Sequence, residues 1–554
     1  MNPLALFAER ERDLINWTPD GPLCVSVQED GLLLEDAAGN PIRTVGRGAD
    51  IALFANDEQQ LVSVTVSTHA WEVAETSLDG TEVMWQAPLP ADLRDGWTLT
   101  DAVTGIAADG RRSLVVTMTA DDGHSVLVEL AEGAASNRLP TAGDHRLLVH
   151  DVSLDITVLE EERGPELPVL HIRRCDGTPV LRVNGHLRDV CAREALIDVG
   201  DAVEIWDLRE PARRHRVETP GELTDARFVR GGPRVLLLTC ETGQNRARLT
   251  DPPTALDLGD GALRICAAHE RGIGLHRVST LGESAWLWLS PDGSVDTRPG
   301  TVPAFPVPAT TRHLWCGDTP VVLHCTDAPP TGLLIAIHGG PEGLERDELR
   351  WEGVYRDLLA DGIAVLGLNY AGSTGYGRAH RERPWRDWES SLRTDLSACL
   401  ELAQELSLGR SRIGLLGGSF GADVALLYAG MVPGLAGVVA CSPMAGLTDF
   451  REHVESENPA YAAWFDARFS KADYELFAQN SLLTAGQTPV VIVQGDADVV
   501  VDPERTARLV EAATDAELGW RLVREQGTGH QPSSPDESAS RHALLRRELR
   551  LILA

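Results

Sequence analysis

An all-β N-terminal half followed by a doubly wound α/β half is the fold class the sequence predicts, and three observations predict it. Short runs rich in Val, Leu and Thr, separated by turn dipeptides and with little helical periodicity, fill the chain up to about residue 305. Beyond residue 306, apolar runs of strand length alternate with helix-like stretches. That alternation builds a mostly parallel sheet covered by helices on both faces. At 554 residues the chain also exceeds what a single core accommodates, so two domains are expected.

In the first half, Asp30-Gly31, Asp79-Gly80, Asp122-Gly123, Asp176-Gly177, Asn184-Gly185 and Asp292-Gly293 mark hairpins, because Asp or Asn before Gly supplies the positive φ angles of tight turns. Several recur at intervals near the ~40–50 residues of a propeller blade, which makes six or seven blades. A seven-bladed β-propeller over residues 21–305 is the expectation, with a pair of β-sandwiches as its alternative. Ahead of it, Leu4, Phe7, Leu14 and Trp17 have helical spacing, so residues 1–20 are expected to form a short amphipathic helix packed on the C-terminal domain.

In the second half, residues 333–337, 363–370, 412–416, 438–441, 489–493 and 520–524 read as buried strands. Residues 392–406, 422–431 and 504–513 read as helices. The junction of 412–416 with 422–431 carries Gly417-Gly418-Ser419-Phe420-Gly421, the spacing of a nucleophile elbow. A sharp strand-to-helix turn lifts the Ser hydroxyl above the sheet, and it aims the Phe420 N–H at a developing oxyanion. Taken alone, this pentapeptide also fits an ordinary Gly-rich turn, so its partners decide.

An elbow of this kind needs an acid and then a His downstream, each on a loop after a later strand. The run 489–493 empties into Gln494-Gly495-Asp496-Ala497-Asp498, where Asp498 is the expected orienting acid and Asp496 and Asp502 compete with it. The run 520–524 leads to Gly527-Thr528-Gly529-His530, and His530 is the expected general base. Upstream, 333–337 leads into His338-Gly339-Gly340-Pro341-Glu342-Gly343, an oxyanion loop. Gly340 and Phe420 are the expected donors, with Gly339 a further candidate, and His338 is expected to buttress the loop. Together these features describe an α/β-hydrolase catalytic domain over residues 306–554.

Composition removes other classes. The formal charge is −33, and nucleic acid or anionic membranes need a basic surface, so neither is an expected partner. Lys471 is the only lysine and sits in no phosphate-binding or Schiff-base motif. No run of eighteen apolar residues and no basic, apolar leader is visible, and the nine Cys lack any C-x-x-C spacing. A cytoplasmic protein without metal or organic cofactor is expected.

With its HGGP loop, Asn369-Tyr370-Ala371-Gly372-Ser373-Thr374-Gly375-Tyr376-Gly377, the elbow, the Asp loop and the His loop in this order, the chain resembles the prolyl oligopeptidase family of serine peptidases, in particular its acylaminoacyl-peptidase-like branch. The resemblance spans about residues 334–530. It implies a propeller that caps the active site and filters substrates by size, and catalytic roles for Ser419, Asp498 and His530. It also implies that Tyr376 is a substitute oxyanion donor or a pocket wall. Ala371, Glu389, Gln494 and Asp502 depart from the family pattern around the substrate pocket.

The function expected from the sequence is hydrolysis of small peptides or aminoacyl amides through an acyl-enzyme. Carboxylesterase or thioesterase activity, or hydrolysis of an aminoacylated metabolite, is the alternative. A propeller scaffold with an inert hydrolase domain is the rival of another class. The acidic balance favours substrates with a free amine, which Glu342, Glu455 or Glu457 would pair.

Overall fold

A computed structural model describes residues 13–553, apart from 19–20, 29–30, 37–39, 46–50, 56–59, 67–69, 78–80, 94–96, 107–111, 121–124, 131–136, 139–145, 152–154, 162–166, 192, 231–233 and 458. Among the described residues, seven four-stranded antiparallel sheets follow one another, over residues 13–45, 51–88, 97–138, 146–184, 186–218, 222–256 and 262–299. Neighbouring sheets bury apolar clusters between their faces: Val64, Trp71, Val116 and Val128 between the second and third, and Leu236, Leu238, Leu275 and Leu287 between the last two. The first sheet packs on the last, where Trp17 stacks on Trp288 at 5.8 Å between ring centroids and its Nε1–H donates to Asp296 Oδ2 at 3.2 Å. The result is a propeller-like arrangement.

That packing corrects the expected N-terminal helix over residues 13–18 alone. Leu14 and Trp17 lie in strand Asp13–Thr18, hydrogen-bonded to strand Gly21–Gln28, while Leu4 and Phe7 lie outside the described residues. The three-residue spacing of the two apolar residues suited a helix, but a partner strand and the Trp288 face outweigh local periodicity. Asn184-Gly185 is also not a hairpin. It joins two successive sheets, and a Cβ on Gly185 would stand 2.5 Å from Asp198 O, so a close backbone approach explains the glycine.

Asp176-Gly177 and Asp292-Gly293 do turn hairpins, each Asp accepting the backbone N–H two residues on at 2.8 and 2.9 Å. Asp30, Asp79, Gly80, Asp122 and Gly123 lie outside the described residues, between strands that pair antiparallel.

The C-terminal sheet has eight strands in the order Ala309–Cys316, Thr319–Thr326, Ile363–Leu368, Gly332–Ile337, Ile413–Gly418, Gly437–Cys441, Val490–Gly495 and Arg521–Glu525. The first two pairings are antiparallel and the rest parallel. The parallel strands read as unbroken apolar runs because helices cover both faces. One helix layer buries Leu392, Leu396, Val424 and Leu426 with Ile335 and Leu415; the other buries Tyr355, Leu358, Leu545 and Leu549 with Leu334 and Val439.

Helix Trp388–Glu405 begins four residues before the run at 392–406 predicted it to. Asp473 Oδ1, 85 residues away in sequence, accepts the Trp388 N–H at 2.9 Å and caps the added turn. Among the described residues no helix is long and apolar enough to cross a membrane.

Candidate active site

Strand Ile413–Gly418 runs through Ser419 directly into helix Phe420–Met431. Ser419 holds φ 53° and ψ −124°, a backbone conformation that an L-residue keeps only when its surroundings impose it. The flanking glycines make the turn possible. A Cβ on Gly417 would stand 2.2 Å from Gly421 O, and one on Gly421 would stand 2.2 Å from His338 O. The Ser419 N–H is fixed by Cys441 O at 2.8 Å, at the end of the adjacent strand.

Asp498 and His530 meet as the sequence predicts. His530 Nδ1 lies 2.8 Å from Asp498 Oδ2, which leaves Nε2 as the ring nitrogen able to take a proton. The Asp498 carboxylate also accepts the N–H groups of Val500 and Val501, each at 2.9 Å, and the Gln494 side-chain amide at 3.0 Å. Burial pushes its pKa up, but the His530 and backbone hydrogen bonds outweigh that and hold it at about 2.

Gln494, read from the sequence only as a departure, therefore positions Asp498, and Thr506 Oγ1 holds the Gln494 carbonyl at 2.8 Å. The competing acids have other partners. Asp496 accepts Gly527 N at 2.6 Å, and Asp502 caps helix Pro503–Asp515 through Glu504 N at 2.9 Å.

The His338–Gly343 segment lies against the elbow. A Cβ on Gly339 would stand 3.2 Å from Ser419 Cβ, whereas Gly340 is exposed, with φ 143°. The Phe420 N–H opens the helix beside Ser419, and the Phe420 ring is fully buried. His338 is a buried buttress: its Nδ1–H donates to Gly339 O at 2.7 Å, Nε2 stands 2.7 Å from Ser373 Oγ, and the ring stacks on Tyr370 at 4.4 Å. Burial lowers its pKa to about 3, so it stays neutral.

Other candidates are placed elsewhere. The Tyr376 hydroxyl accepts Asn369 Nδ2 at 3.0 Å and stands where a Cβ on Gly243 would be, 2.1 Å away, so it seats against the propeller instead of lining the Ser419 cavity. Its loop is held there by propeller groups: Glu222 accepts Gly375 N at 2.7 Å and Gly377 N at 3.2 Å, and Gly243 N–H donates to Gly375 O at 3.1 Å. Glu342 is paired with Arg468 at 2.5 Å, and Arg468 lies between the Trp385 and Trp464 rings. Glu455 is paired with Arg451, and the Glu457 side chain lies outside those described.

Ser419, Gly339 and His530 face one cavity of about 390 Å³. The last propeller sheet closes one side of it through Leu263, Arg264, His276 and Val278; Trp351, Glu352, Ser442 and Gln531 complete other walls. Sequence reasoning missed all eight, because a propeller strand and loops far apart in the chain carry no local signal of a shared cavity. Nor does the cavity share the acidic balance of the whole chain. Arg264, Arg346, Arg350 and Arg541 line it with Glu348 and Glu352, and three of these four arginines are already met by carboxylates: Arg346 by Glu348, Arg350 by Glu345 and Arg541 by Glu525.

Asp423, one turn into the elbow helix, is fully buried and accepts Ala445 N at 3.3 Å. Burial lifts its pKa to about 7, against the ordinary 3.8, with its hydrogen bonds and Arg505 offsetting only part. A raised folded-state pKa means the folded chain holds an extra proton. Its stabilising contribution is complete below pH about 4 and is lost as pH rises through about 7. Asp423→Asn is thus expected to gain in thermal midpoint relative to the unsubstituted protein between pH 5 and pH 8; an unchanged difference would contradict the buried neutral carboxyl.

A Ser on a strained strand-to-helix turn, a His held by a buried carboxylate, and a Gly-rich loop against the Ser, all on an eight-stranded α/β sheet capped by a propeller, define the class of α/β-hydrolases with a propeller cap. Residues 354–550 match the model of the Prolyl oligopeptidase family. Dipeptidyl aminopeptidase BIII of Pseudoxanthomonas mexicana is 24% identical over 227 residues, covering 39% of this chain and 32% of that protein. Dipeptidyl peptidase family member 6 of Caenorhabditis elegans is 23% identical over 240 residues, covering 41% and 32%. The matched segment thus spans about a third of the length of these curated relatives.

Among solved structures, the Pyrococcus horikoshii acylaminoacyl peptidase superposes with a TM-score of 0.72 at 13% identity, covering 99% of this chain and 96% of that one. A Mycobacterium tuberculosis puromycin-hydrolyzing peptidase superposes with a TM-score of 0.69 at 15% identity, covering 99% and 95%. Residues 354–550 are thus similar to the prolyl oligopeptidase family, and the chain as a whole has an acylaminoacyl-peptidase-like fold.

Proposed function

We propose that the protein is a serine peptidase that hydrolyses small peptides or aminoacyl amides through an acyl-enzyme, with Ser419 as nucleophile, His530 as general base and Asp498 as its orienting acid. The observation that carries this reading is the 2.8 Å contact of His530 Nδ1 with buried Asp498, on the cavity that Ser419 lines from its elbow. His530 Nε2 takes the Ser419 proton as the hydroxyl attacks the substrate carbonyl, and returns it to the departing amine. Water then repeats the sequence on the ester. The N–H groups of Phe420 and of the Gly339-Gly340 segment take the oxyanion.

Each four-stranded sheet is read as one propeller blade, seven in all, and the last closes the cavity over Ser419, which limits substrates by size. The nine free cysteines fit a reducing, cytoplasmic setting.

The cavity also bears on the substrate's end. Glu342 and Glu455 are already paired with arginines, and Glu348 at the cavity is paired with Arg346 and Arg350, so an N-acylated end fits better than a free amine. A second reading, a small aminoacylated metabolite as substrate, is favoured by the modest cavity and by likeness to a structure named for puromycin hydrolysis.

The test is a panel of aminoacyl and N-acyl-aminoacyl p-nitroanilides with matched esters, together with fluorophosphonate labelling. The expected result is label on Ser419 and the highest kcat/KM on an N-acyl-aminoacyl amide. Turnover of esters with no amide would replace the peptidase reading by an esterase; absence of label would replace it by an inert scaffold.

A further inference from the structure

We propose that Ser442 is a specificity-determining residue whose hydroxyl donates a hydrogen bond to an amide carbonyl of the substrate other than the scissile one. The inference deepens the peptidase reading and rests on it. Strand Gly437–Cys441 runs parallel to strand Ile413–Gly418 with Cys441 opposite Gly418, so Ser442 stands level with Ser419, one residue past the strand end. Its backbone is fixed there by Val493 O, which accepts the Ser442 N–H at 2.8 Å, and it adopts φ 46°, in the left-handed region that a serine leaves unless held.

The side chain is 2% exposed, lines the Ser419 cavity, and its Oγ has no hydrogen-bond partner in the protein. Buried hydroxyls nearly always have partners, and an exception on a strained backbone beside a nucleophile points to a partner that arrives with the substrate.

The surrounding charge selects the kind of partner. Arg541, 4% exposed, lines the same cavity, held by Glu525. Its charge is already met: its Nε donates to Glu525 Oε2 at 2.5 Å, and Nη2 lies at the same distance from that oxygen. Glu352 also faces the cavity. A neutral hydroxyl donor beside an arginine whose charge is already neutralised suits a neutral carbonyl oxygen better than a carboxylate or an ammonium. In an N-acyl-aminoacyl amide, the carbonyl of the acyl group is such an oxygen.

The experiment compares N-acetyl-aminoacyl p-nitroanilide, which carries that second carbonyl, with p-nitrophenyl acetate, which lacks it. Ser442→Ala is expected to lower kcat/KM on the anilide about 10–30-fold more than on the acetate, the loss of one hydrogen bond. The variant should keep fluorophosphonate labelling of Ser419 and a thermal midpoint no lower than that of the unsubstituted protein, since no partner within the protein is lost. An equal fall on both substrates, or a lowered midpoint, would make Ser442 structural and overturn the proposal; so would equal activity on both. If Ser442→Ala does not fold, Ser442→Cys, which keeps the size but donates weakly, must show the same bias. Absence of label and of turnover in the unsubstituted protein would overturn the peptidase reading itself, whereas label and turnover with no substrate bias in the variant would overturn only the role of Ser442.

Discussion

Ser419→Ala is expected to lower kcat by about 10⁶-fold, and His530→Ala by as much, with the double substitution no worse than either single one, because nucleophile and base act as one unit. The structure gives each loss its reason. Without the Ser419 hydroxyl there is no acyl acceptor. Without His530 the hydroxyl has no proton acceptor, since the nearby His338 is buried, held between Gly339 and Ser373, and lowered to a pKa of about 3. Asp498→Asn should cost about 10⁴-fold, because an amide at that place no longer fixes the His530 tautomer or offsets the imidazolium. Single-turnover rates on the best substrate from the anilide panel provide the measurement. Retention of more than about a thousandth of the activity in either single variant at Ser419 or His530 would contradict the assignment.

The largest effect on stability is expected at Gly421. An added Cβ would lie 2.2 Å from His338 O and 2.5 Å from Ile337 O, so the elbow helix and the strand leading to the oxyanion loop could not keep their present contact. Neither neighbour is a flexible side chain that could turn aside. Gly421→Ala is expected to cost more than about 4 kcal/mol in the catalytic domain, which is overpacking against backbone. It should appear as loss of soluble protein or a thermal midpoint lowered well beyond that of a control. Gly409→Ala is that control: nothing lies within 4 Å of its Cβ position, and it should change stability by less than about 0.5 kcal/mol. Equal midpoints for the two variants would mean that the close approach at Gly421 is not required.

What could be read locally was read from local causes. The parallel strands were visible because burial on both faces writes continuous apolar runs, as in Val490–Gly495. The elbow was visible because its two close backbone approaches admit only glycine on either side of Ser419. The pairing of Asp498 with His530 was legible because each follows a strand in the order that the fold requires.

Errors arose where a distant partner decided. The segment with Leu14 and Trp17 became a strand because strand Gly21–Gln28 pairs with it and Trp288 of the last sheet stacks on Trp17. Tyr376 left the cavity because Glu222 and Gly243 of the propeller grip its loop. Gln494 gained a role only once the chain folded its amide onto Asp498.

The sequence by itself thus determined the α/β sheet, the strained elbow and the order of the three candidate catalytic residues, since each depends on residues within a few positions of one another or on the succession of strands. Only the tertiary structure decided the walls of the cavity and their charge. Arg264 from the propeller, Ser442 after a neighbouring strand and Arg541 from the last helix are brought together by packing between segments far apart in the chain. The net charge of −33 describes the whole chain, while the field at Ser419 depends on the few side chains that this packing places there.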